Sequence, residues 1–391
     1  MQNHFLEVDF YQISKEGQIA CGDSFYTTKQ DDRTILVLAD GLGSGIKASV
    51  LSTLTSTMAS AFVSAKMGIR RAAEVIIETL PVCSVRKIGY STFTIMDVAG
   101  DGVVRLIEHD NPASVLVRNG KITPFEKQSI KFEAVHETVI YFSEFQLQPR
   151  DRLIMFSDGV TQSGMGRPGM LLGWQQSGAE EHIQQLVRQS PEVSASELCK
   201  RLARKAREND MGKAADDITA AAIYLRKPRR TLLVTGPPYK REHDAMMAEI
   251  LKGFQGKKVV CGGTTSEIIS RELNRPVTVN LKDMRSSLEV PPTAHIEGVD
   301  LVTEGTITLS RALQLLEEDV NPETLEDNGI SRLMNILLGS DIIDFVVGTK
   351  INEAHQDPAL PKDLEIRRSL IRRLANVMET MYFKQTNIRF V

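Results

Sequence analysis

The sequence predicts two successive units. The first is an α+β sandwich of grouped strands and paired helices, and the second a three-layer α/β domain with a mostly parallel sheet. Three observations point there. Short β-branched runs between Leu6 and Leu225 cluster in groups, with helical stretches in pairs between them. After Arg226-Lys227-Pro228-Arg229-Arg230 the pattern changes to regular alternation of strand and helix. The chain's 391 residues suffice for two cores, and 42% hydrophobic with 25% charged residues excludes disordered, collagen-like and low-complexity classes. Boundaries are expected at 1–226 and 227–391, with residues 226–230 as the linker.

In the first unit, strands are expected at Leu6 to Ile13 and at Thr34 to Leu38. Leu51, Leu54, Met58 and Phe62, at helical spacing, then predict a helix whose apolar face could serve either core or dimer, and Ala72 to Leu80 a second helix. Strands resume at Tyr90 to Met96, Val103 to Glu108, Ser114 to Arg118, Thr138 to Phe142 and Arg152 to Phe156, and Asn119-Gly120 signals a tight hairpin. Another helix pair buries Ile183, Leu186 and Val187, then Leu198 and Leu202, with Ser194 and Glu197 as a capping box. Asp217 to Tyr224 closes the unit as a strand. The basic run that follows is expected to be a solvated connector.

In the second unit, strands are expected at Thr231 to Thr235, Lys258 to Cys261, Val277 to Leu281, Val299 to Thr303 and Ile342 to Val347. Helices are expected at Glu242 to Phe254, Thr265 to Leu273, from Leu309, around Leu333 to Leu338, and at Leu364 to Met378.

Forty-seven basic against fifty acidic residues leave a formal charge of −3, so overall charge gives nucleic-acid binding no support. No apolar run reaches the roughly 18 residues of a membrane span. The start of the chain lacks the pattern of a secretory signal. Cys21, Cys83, Cys199 and Cys261 form no CxxC pair, so a reducing, cytoplasmic compartment is expected, without a disulfide framework or a thiolate metal site.

The chemistry lies in aspartates at strand ends. Asp40-Gly41 follows one apolar strand, Asp158-Gly159 follows another, Asp216-Asp217 opens the last strand of the first unit, and Asp23 precedes an extended run. Any one Asp-Gly is more often a turn than a ligand. Converging carboxylates without His or Cys, however, suit a hard cation such as Mg²⁺ or Mn²⁺. Glycine after Asp40 and Asp158 is expected to let the backbone turn sharply and free a carbonyl as a further oxygen ligand.

Gly22-Asp23-Ser24-Phe25, Ala39-Asp40-Gly41-Leu42-Gly43-Ser44-Gly45, Phe156-Ser157-Asp158-Gly159 and Ala215-Asp216-Asp217-Ile218-Thr219 resemble, in order, the metal motifs of metal-dependent type 2C protein phosphatases. The similarity is closest to the bacterial stage II sporulation protein E branch and covers about residues 1–226. It implies an αββα β-sandwich with two divalent cations, Mn²⁺ or Mg²⁺, hydrolysing phosphoserine or phosphothreonine on a signalling phosphoprotein by metal-activated hydroxide. It further implies that Asp40 bridges both metals, Gly41 lends its carbonyl, Asp158 and Asp217 complete the set, and Asp23 acts through water. Asp216 would stand behind the ligands or be structural. The helices at about Ser44 to Leu80 resemble that branch's regulatory switch and equally fit core packing or a homodimer face. Eukaryotic members hold the phosphate with an N-terminal arginine; here Lys15 is the nearest stand-in. His109 departs from the pattern and is expected to be structural.

Beyond Thr231, the glycine-containing loops after strands are expected on one sheet edge, where Gly262, Gly263, Thr264 and Thr265 could hold an anion at a helix start. Glu304, Lys350 and His355 could supply charge, or could be rim or cap residues. Cys261 reads as a buried small hydrophobe, and Arg367, Arg368, Arg372 and Arg373 as a solvent-facing stripe. The expected function is a serine/threonine phosphatase with a C-terminal sensing or regulatory domain. An inactive phosphatase-fold scaffold, or a small phospho-metabolite enzyme in the second half, are the alternatives.

Overall fold

The computed structural model describes residues 4–30, 33–79, 91–133, 137–279, 292–350 and 363–391. The chain separates into two units, Met1–Lys227 and Pro228–Val391.

The first unit opens with β1 (Phe5–Ile13), β2 (Asp23–Gln30), β3 (Arg33–Gly41), α1 (Ile46–Ser64) and α2 (Ile69–Thr79). Then come β4 (Ser91–Ala99), β5 (Val103–His109), β6 (Val115–Arg118), β7 (Lys121–Ile122), β8 (Gln128–Glu133), β9 (Glu137–Gln146) and β10 (Arg152–Phe156). It closes with α3 (Asp158–Thr161), α4 (Gln175–Gln189), α5 (Ala195–Asn209) and β11 (Ile218–Arg226). The strands make two antiparallel sheets, β1-β11-β10-β6-β7 and β2-β3-β4-β5-β9-β8.

Side chains alternate along each strand, so every sheet has two faces to cover. Leu36, Leu38, Met96 and Leu106 meet Leu153, Met155, Ile223 and Leu225 between the sheets. Ile35, Val37, Phe93 and Ile95 face Ala59, Val63, Ala72 and Ile76 of α1 and α2. Ile154, Phe156, Ala220 and Tyr224 face Ile183, Leu186, Leu198 and Leu202 of α4 and α5. This is an αββα sandwich. Asn119 and Gly120 both take positive φ, 51° and 71°, between β6 and β7, as a two-residue hairpin turn requires.

The second unit runs β12 (Arg230–Thr235), α6 (Asp244–Gly253), β13 (Lys257–Cys261), α7 (Gly263–Leu273), β14 (Thr278–Val279), β15 (Ala294–His295) and β16 (Leu301–Thr303). It continues with α8 (Thr306–Glu317), α9 (Gly329–Leu338), β17 (Ile342–Val347), α10 (Asp363–Thr380) and β18 (Gln385–Phe390). One sheet, β14-β15-β16-β13-β12-β17-β18, is parallel from β16 to β18 and antiparallel at β14 and β15. Helices α8, α9 and α10 cover one face and α6 and α7 the other, giving three layers.

Several expectations need correction. The buried face of α1 is Ala48, Ser52, Thr55, Ser56, Ala59, Ser60 and Val63, while Leu54 is exposed and Leu51, Met58 and Phe62 are half-buried. Small residues let α1 lie close on β2, β3 and β4. Their hydroxyls are satisfied locally: Ser52 donates to the Ser49 carbonyl, Thr55 to that of Leu51 and Ser56 to that of Thr53.

The basic run holds the division between the units, and Lys227, Arg229 and Arg230 are exposed, but its arginines are also anchored. β11 extends through Arg226, which is buried and pairs with Glu7 at 2.5 Å, and Arg230 pairs with Asp344 at 2.7 Å. The α10 arginines are engaged as well. Arg367 donates to the Gly348 carbonyl, Arg368 and Arg372 lie over the Phe390 ring, and Arg373 pairs with Glu317. Phe390 belongs to β18, which the sequence reading left out together with β7, β8 and β15. Helix α8 starts at Thr306, ahead of the expected Leu309.

Candidate active site

Strand pairing sets the first two acids. β2 begins at Asp23 and β3 ends at Asp40-Gly41, and antiparallel register places Asp23 opposite Asp40. In the other sheet, β10 ends at Phe156 and α3 starts at Asp158, while Asp217 immediately precedes β11, the neighbour of β10. The two sheets thus deliver Asp23, Asp40, Asp158, Asp216 and Asp217 to one place. Asp40 feels the charges of Asp23, Asp158 and Asp216, while Asp23 feels Asp217 and Asp158.

Three of the carboxylates have braces of their own. Thr219 donates its hydroxyl to Asp23 Oδ2 at 2.6 Å, and Gln162 donates its amide to Asp158 Oδ2 at 2.6 Å. The backbone amides of Lys15 and Gly22 donate to Asp217 Oδ1 and Oδ2, both at 2.9 Å. Gln162 and Thr219 escaped the sequence reading. Thr219 stands two residues beyond Asp217 and shares its side of the strand. Gln162 stands four beyond Asp158, one helical turn on, a relation visible only once α3 is known.

The glycines serve packing rather than sharp turning. Neither Gly41 nor Gly159 has a positive φ. A Cβ on Gly41 would lie 2.1 Å from the Ala48 carbonyl oxygen of α1, and one on Gly159 would lie 2.1 Å from the Asp217 carbonyl oxygen. Only a residue without a side chain lets α1 and the Asp217 backbone approach so closely.

Burial and mutual repulsion dominate the electrostatics. Burial, followed by the charge of Asp23, pushes Asp40 up to about 9. Burial pushes Asp23 up to about 7 against the opposing hydrogen bond from Thr219, and Asp158 is raised by burial and then by Asp216. Burial also drives the Cys21 thiol well up, with Asp23 and Asp217 adding to it, so Cys21 is no thiolate nucleophile.

Asp23 Oδ1 is buried without a hydrogen-bond partner. Among the described residues, no group of three or more His, Cys, Asp or Glu side chains is drawn tightly enough together to enclose an ion. The donor chemistry nevertheless fits a divalent cation. It is all oxygen and acidic, and it holds a buried carboxylate oxygen with an unmet demand among carboxyls that raise one another's pKa.

Lys15 Nζ lies 3.5 Å from Asp216 Oδ1, a loose and partly exposed pair. His109 is buried at the end of β5, its ring 5.1 Å from that of Phe93. Burial lowers its pKa.

In the second unit the parallel strands lie in the order β16, β13, β12, β17, β18, so chain direction across the sheet reverses between β12 and β17. Gly236, Gly262, Gly305 and Gly348 follow the carboxyl ends of β12, β13, β16 and β17. These loops are fastened to one another. Gly236 N–H donates to Thr265 Oγ1, Gly262 N–H to the Thr303 carbonyl and Lys350 N–H to the Pro237 carbonyl. The Glu304 carboxylate accepts from the Ile307 and Thr308 amides, capping α8 rather than facing a pocket. Gly263 and Thr264 stand in the first turn of α7. Cys261 is buried, its thiol pushed up to about 12 by burial. His355 lies outside the described residues.

The family model for Stage II sporulation protein E (SpoIIE) matches residues 30–226, half of the chain. Phosphoserine phosphatase RsbX of Bacillus subtilis (strain 168) is 44% identical over 48 residues, 12% of this chain; the chain spans about a quarter, 24%, of that relative's length. Among solved structures, the phosphatase domain of the cell fate determinant SpoIIE from Bacillus subtilis aligns at 17% identity and TM-score 0.43, over 57% of this chain and 94% of that one. The RsbU and RsbW domains of Rv1364c from Mycobacterium tuberculosis align at 17% identity and TM-score 0.45, over 64% and 68%. Among the described residues, no helix is long and apolar enough to cross a membrane.

Proposed function

The chain belongs to the stage II sporulation protein E family, and on that premise we propose that its first unit is a divalent-cation-dependent phosphatase acting on phosphoserine or phosphothreonine of a signalling protein in the bacterial cytoplasm. The observation that carries this reading is the convergence of aspartates from four separate strand ends on one place. Asp40, Asp158 and Asp217, with the Gly41 carbonyl, would hold two Mn²⁺ or Mg²⁺ ions, and Asp23 would act through water. Such ions supply charge neutralisation and lower the pKa of water towards neutrality.

The remaining tasks fall to the chain. Thr219, Gln162 and the Lys15 and Gly22 amides hold the carboxylates in fixed orientation, so little reorganisation is needed when a phosphoryl group arrives. Lys15 Nζ, beside Asp216, is the near cation that can meet a phosphate oxygen. No protein nucleophile is called for, in keeping with the protonated Cys21.

The test is hydrolysis of para-nitrophenyl phosphate and of a phosphoserine peptide with added Mn²⁺ or Mg²⁺, alongside Mn²⁺ binding followed by electron paramagnetic resonance. Asp158→Asn should cut both turnover and Mn²⁺ affinity by more than the roughly 10- to 100-fold that losing an outer partner of a metal ligand costs. Wild-type turnover indifferent to metal, or unaltered by the substitution, would sink the reading.

The second unit takes a sensing or regulatory role in the same proposal, with an anion at the first turn of α7, Gly262 to Thr265. The reversal of chain order between β12 and β17 supports a ligand crevice at that edge.

A further inference from the structure

The exposed apolar surface of the first unit is concentrated. Among its described residues, the large hydrophobic side chains more than half exposed fall into two groups, and both sit on segments that carry or brace the acidic cluster. Ile19, 97% exposed, is at the middle of the loop whose two ends, Lys15 and Gly22, donate to Asp217. Ile46 and Val50 lie in the first turns of α1, the turns whose backbone rests on Gly41.

Met165, Leu171 and Leu172 belong to the loop that leaves α3 directly after Gln162, the brace of Asp158. Met211 follows Asp210, whose carboxylate holds both Gly164 and Ala215, the residues beside Met165 and Asp216. The other exposed large hydrophobics of the unit, Phe10, Tyr26, Leu54 and Tyr141, are all less than half exposed and stand within strands or a helix.

Loose, unfolded loops do not account for this exposure. Residues 163–174 are tied back on themselves: Gly164 N–H to Asp210 Oδ1 at 2.6 Å, Gly166 N–H to the Leu171 carbonyl at 3.2 Å, Met170 N–H to that of Arg167 at 2.9 Å, and Trp174 N–H to that of Ser163 at 2.9 Å. An ordered backbone therefore holds Leu171 and Leu172, 74% and 73% exposed, out in water beside the aspartates. Solvent-facing apolar clusters of this kind mark contact surfaces. A small, polar phosphorylated metabolite offers no apolar surface to cover them.

We propose that these residues form the docking surface for a protein substrate whose own apolar side chains flank the phosphorylated serine or threonine. The inference rests on the reading of the first unit as a phosphatase. The surface selects the substrate and takes no part in the hydrolysis, so its contribution appears in KM. A phosphorylated segment surrounded by polar residues finds the same carboxylates but nothing to cover Leu171, Leu172 and Met211.

The experiment compares two phosphoserine peptides of equal length and net charge, one with leucine and isoleucine around the phosphoserine and one with serine and asparagine there. Para-nitrophenyl phosphate serves as the reference substrate. Wild type should favour the apolar peptide by about tenfold or more in kcat/KM, through KM, a difference of roughly 1.4 kcal/mol. The full-length chain carrying Leu171→Ser, Leu172→Ser and Met211→Ser should lose that preference while keeping its para-nitrophenyl phosphate turnover and melting temperature. Ile19→Ser with Ile46→Ser should erode the preference in the same way. Equal use of the two peptides by wild type, or a preference that survives both variants, overturns the docking surface alone. Absence of metal-dependent para-nitrophenyl phosphate turnover overturns the phosphatase reading, and the docking surface with it.

Discussion

The acidic end of the first unit and the carboxyl edge of the parallel sheet in the second are both rims of strand ends punctuated by glycine, yet the polar groups named at each stand in different conditions. At the acidic end, burial and like charge raise Asp23, Asp40 and Asp158, and Asp23 Oδ1 is buried with no partner. At the carboxyl edge, Glu304 caps α8, Thr265 accepts from Gly236, and loop amides donate to neighbouring carbonyls. A folded chain seldom leaves a buried polar atom unpaired, since the cost is of order 1–3 kcal/mol. An unmet carboxylate oxygen among like charges is therefore a better guide to a cation than glycine content, and Asp23 supplies one at the first rim.

Substitutions can sharpen that contrast. The largest effect is expected from Gly41→Ala, because the new methyl meets the Ala48 carbonyl and main chain on both sides leaves nothing flexible to yield. Overpacking of this sort costs about 3 kcal/mol or more, and the shift of α1 should also disturb Asp40. A wild-type melting temperature with full Mn²⁺ binding would contradict the packing role given to this glycine.

Glu304→Ala should cost about 1 kcal/mol through loss of the α8 cap, measured by urea unfolding, and leave phosphoester turnover untouched. A loss of turnover without a loss of stability would return Glu304 to a functional role.

The smallest effect tests His109. Burial lowers its folded-state pKa below the ordinary 6.5, so the unfolded chain takes up a proton first as pH falls. The stability that goes with its neutral form is complete above pH 6.5 and declines as pH drops through and below it, by at most about 1.4 kcal/mol per pH unit for one proton. His109→Gln should therefore flatten the acid side of the stability profile. An unchanged slope would mean that the ring titrates alike in both states.

The strands of the αββα unit were legible because alternating β-branched residues and turn pairs such as Asn119-Gly120 act over a few neighbours. So were the aspartates, each marked by the apolar run beside it. Which face of α1 the sheet accepts was not legible: the apolar spacing of Leu51, Leu54, Met58 and Phe62 fitted core or dimer alike, whereas the fully buried face carries Ala48, Ser52, Ala59 and Ser60, whose small side chains allow close approach. The pairing of Arg226 and Arg230 within the basic run was not legible, because their partners Glu7 and Asp344 are far away along the chain. β18 was missed because Gln385–Phe390 alternates weakly and is recruited by β17.

By itself, then, the sequence determined which segments become most of the strands and helices, and which acidic side chains stand at strand ends. Those are consequences of local torsional preference and of periodic hydrophobicity. Tertiary structure alone decided which face of α1 is buried, that Gly41 and Gly159 serve close approach, and that the aspartates of two different sheets are buried near enough to raise one another's pKa. Each of these depends on a distance between atoms remote in sequence, and Coulomb and contact energies are functions of that distance, not of position along the chain.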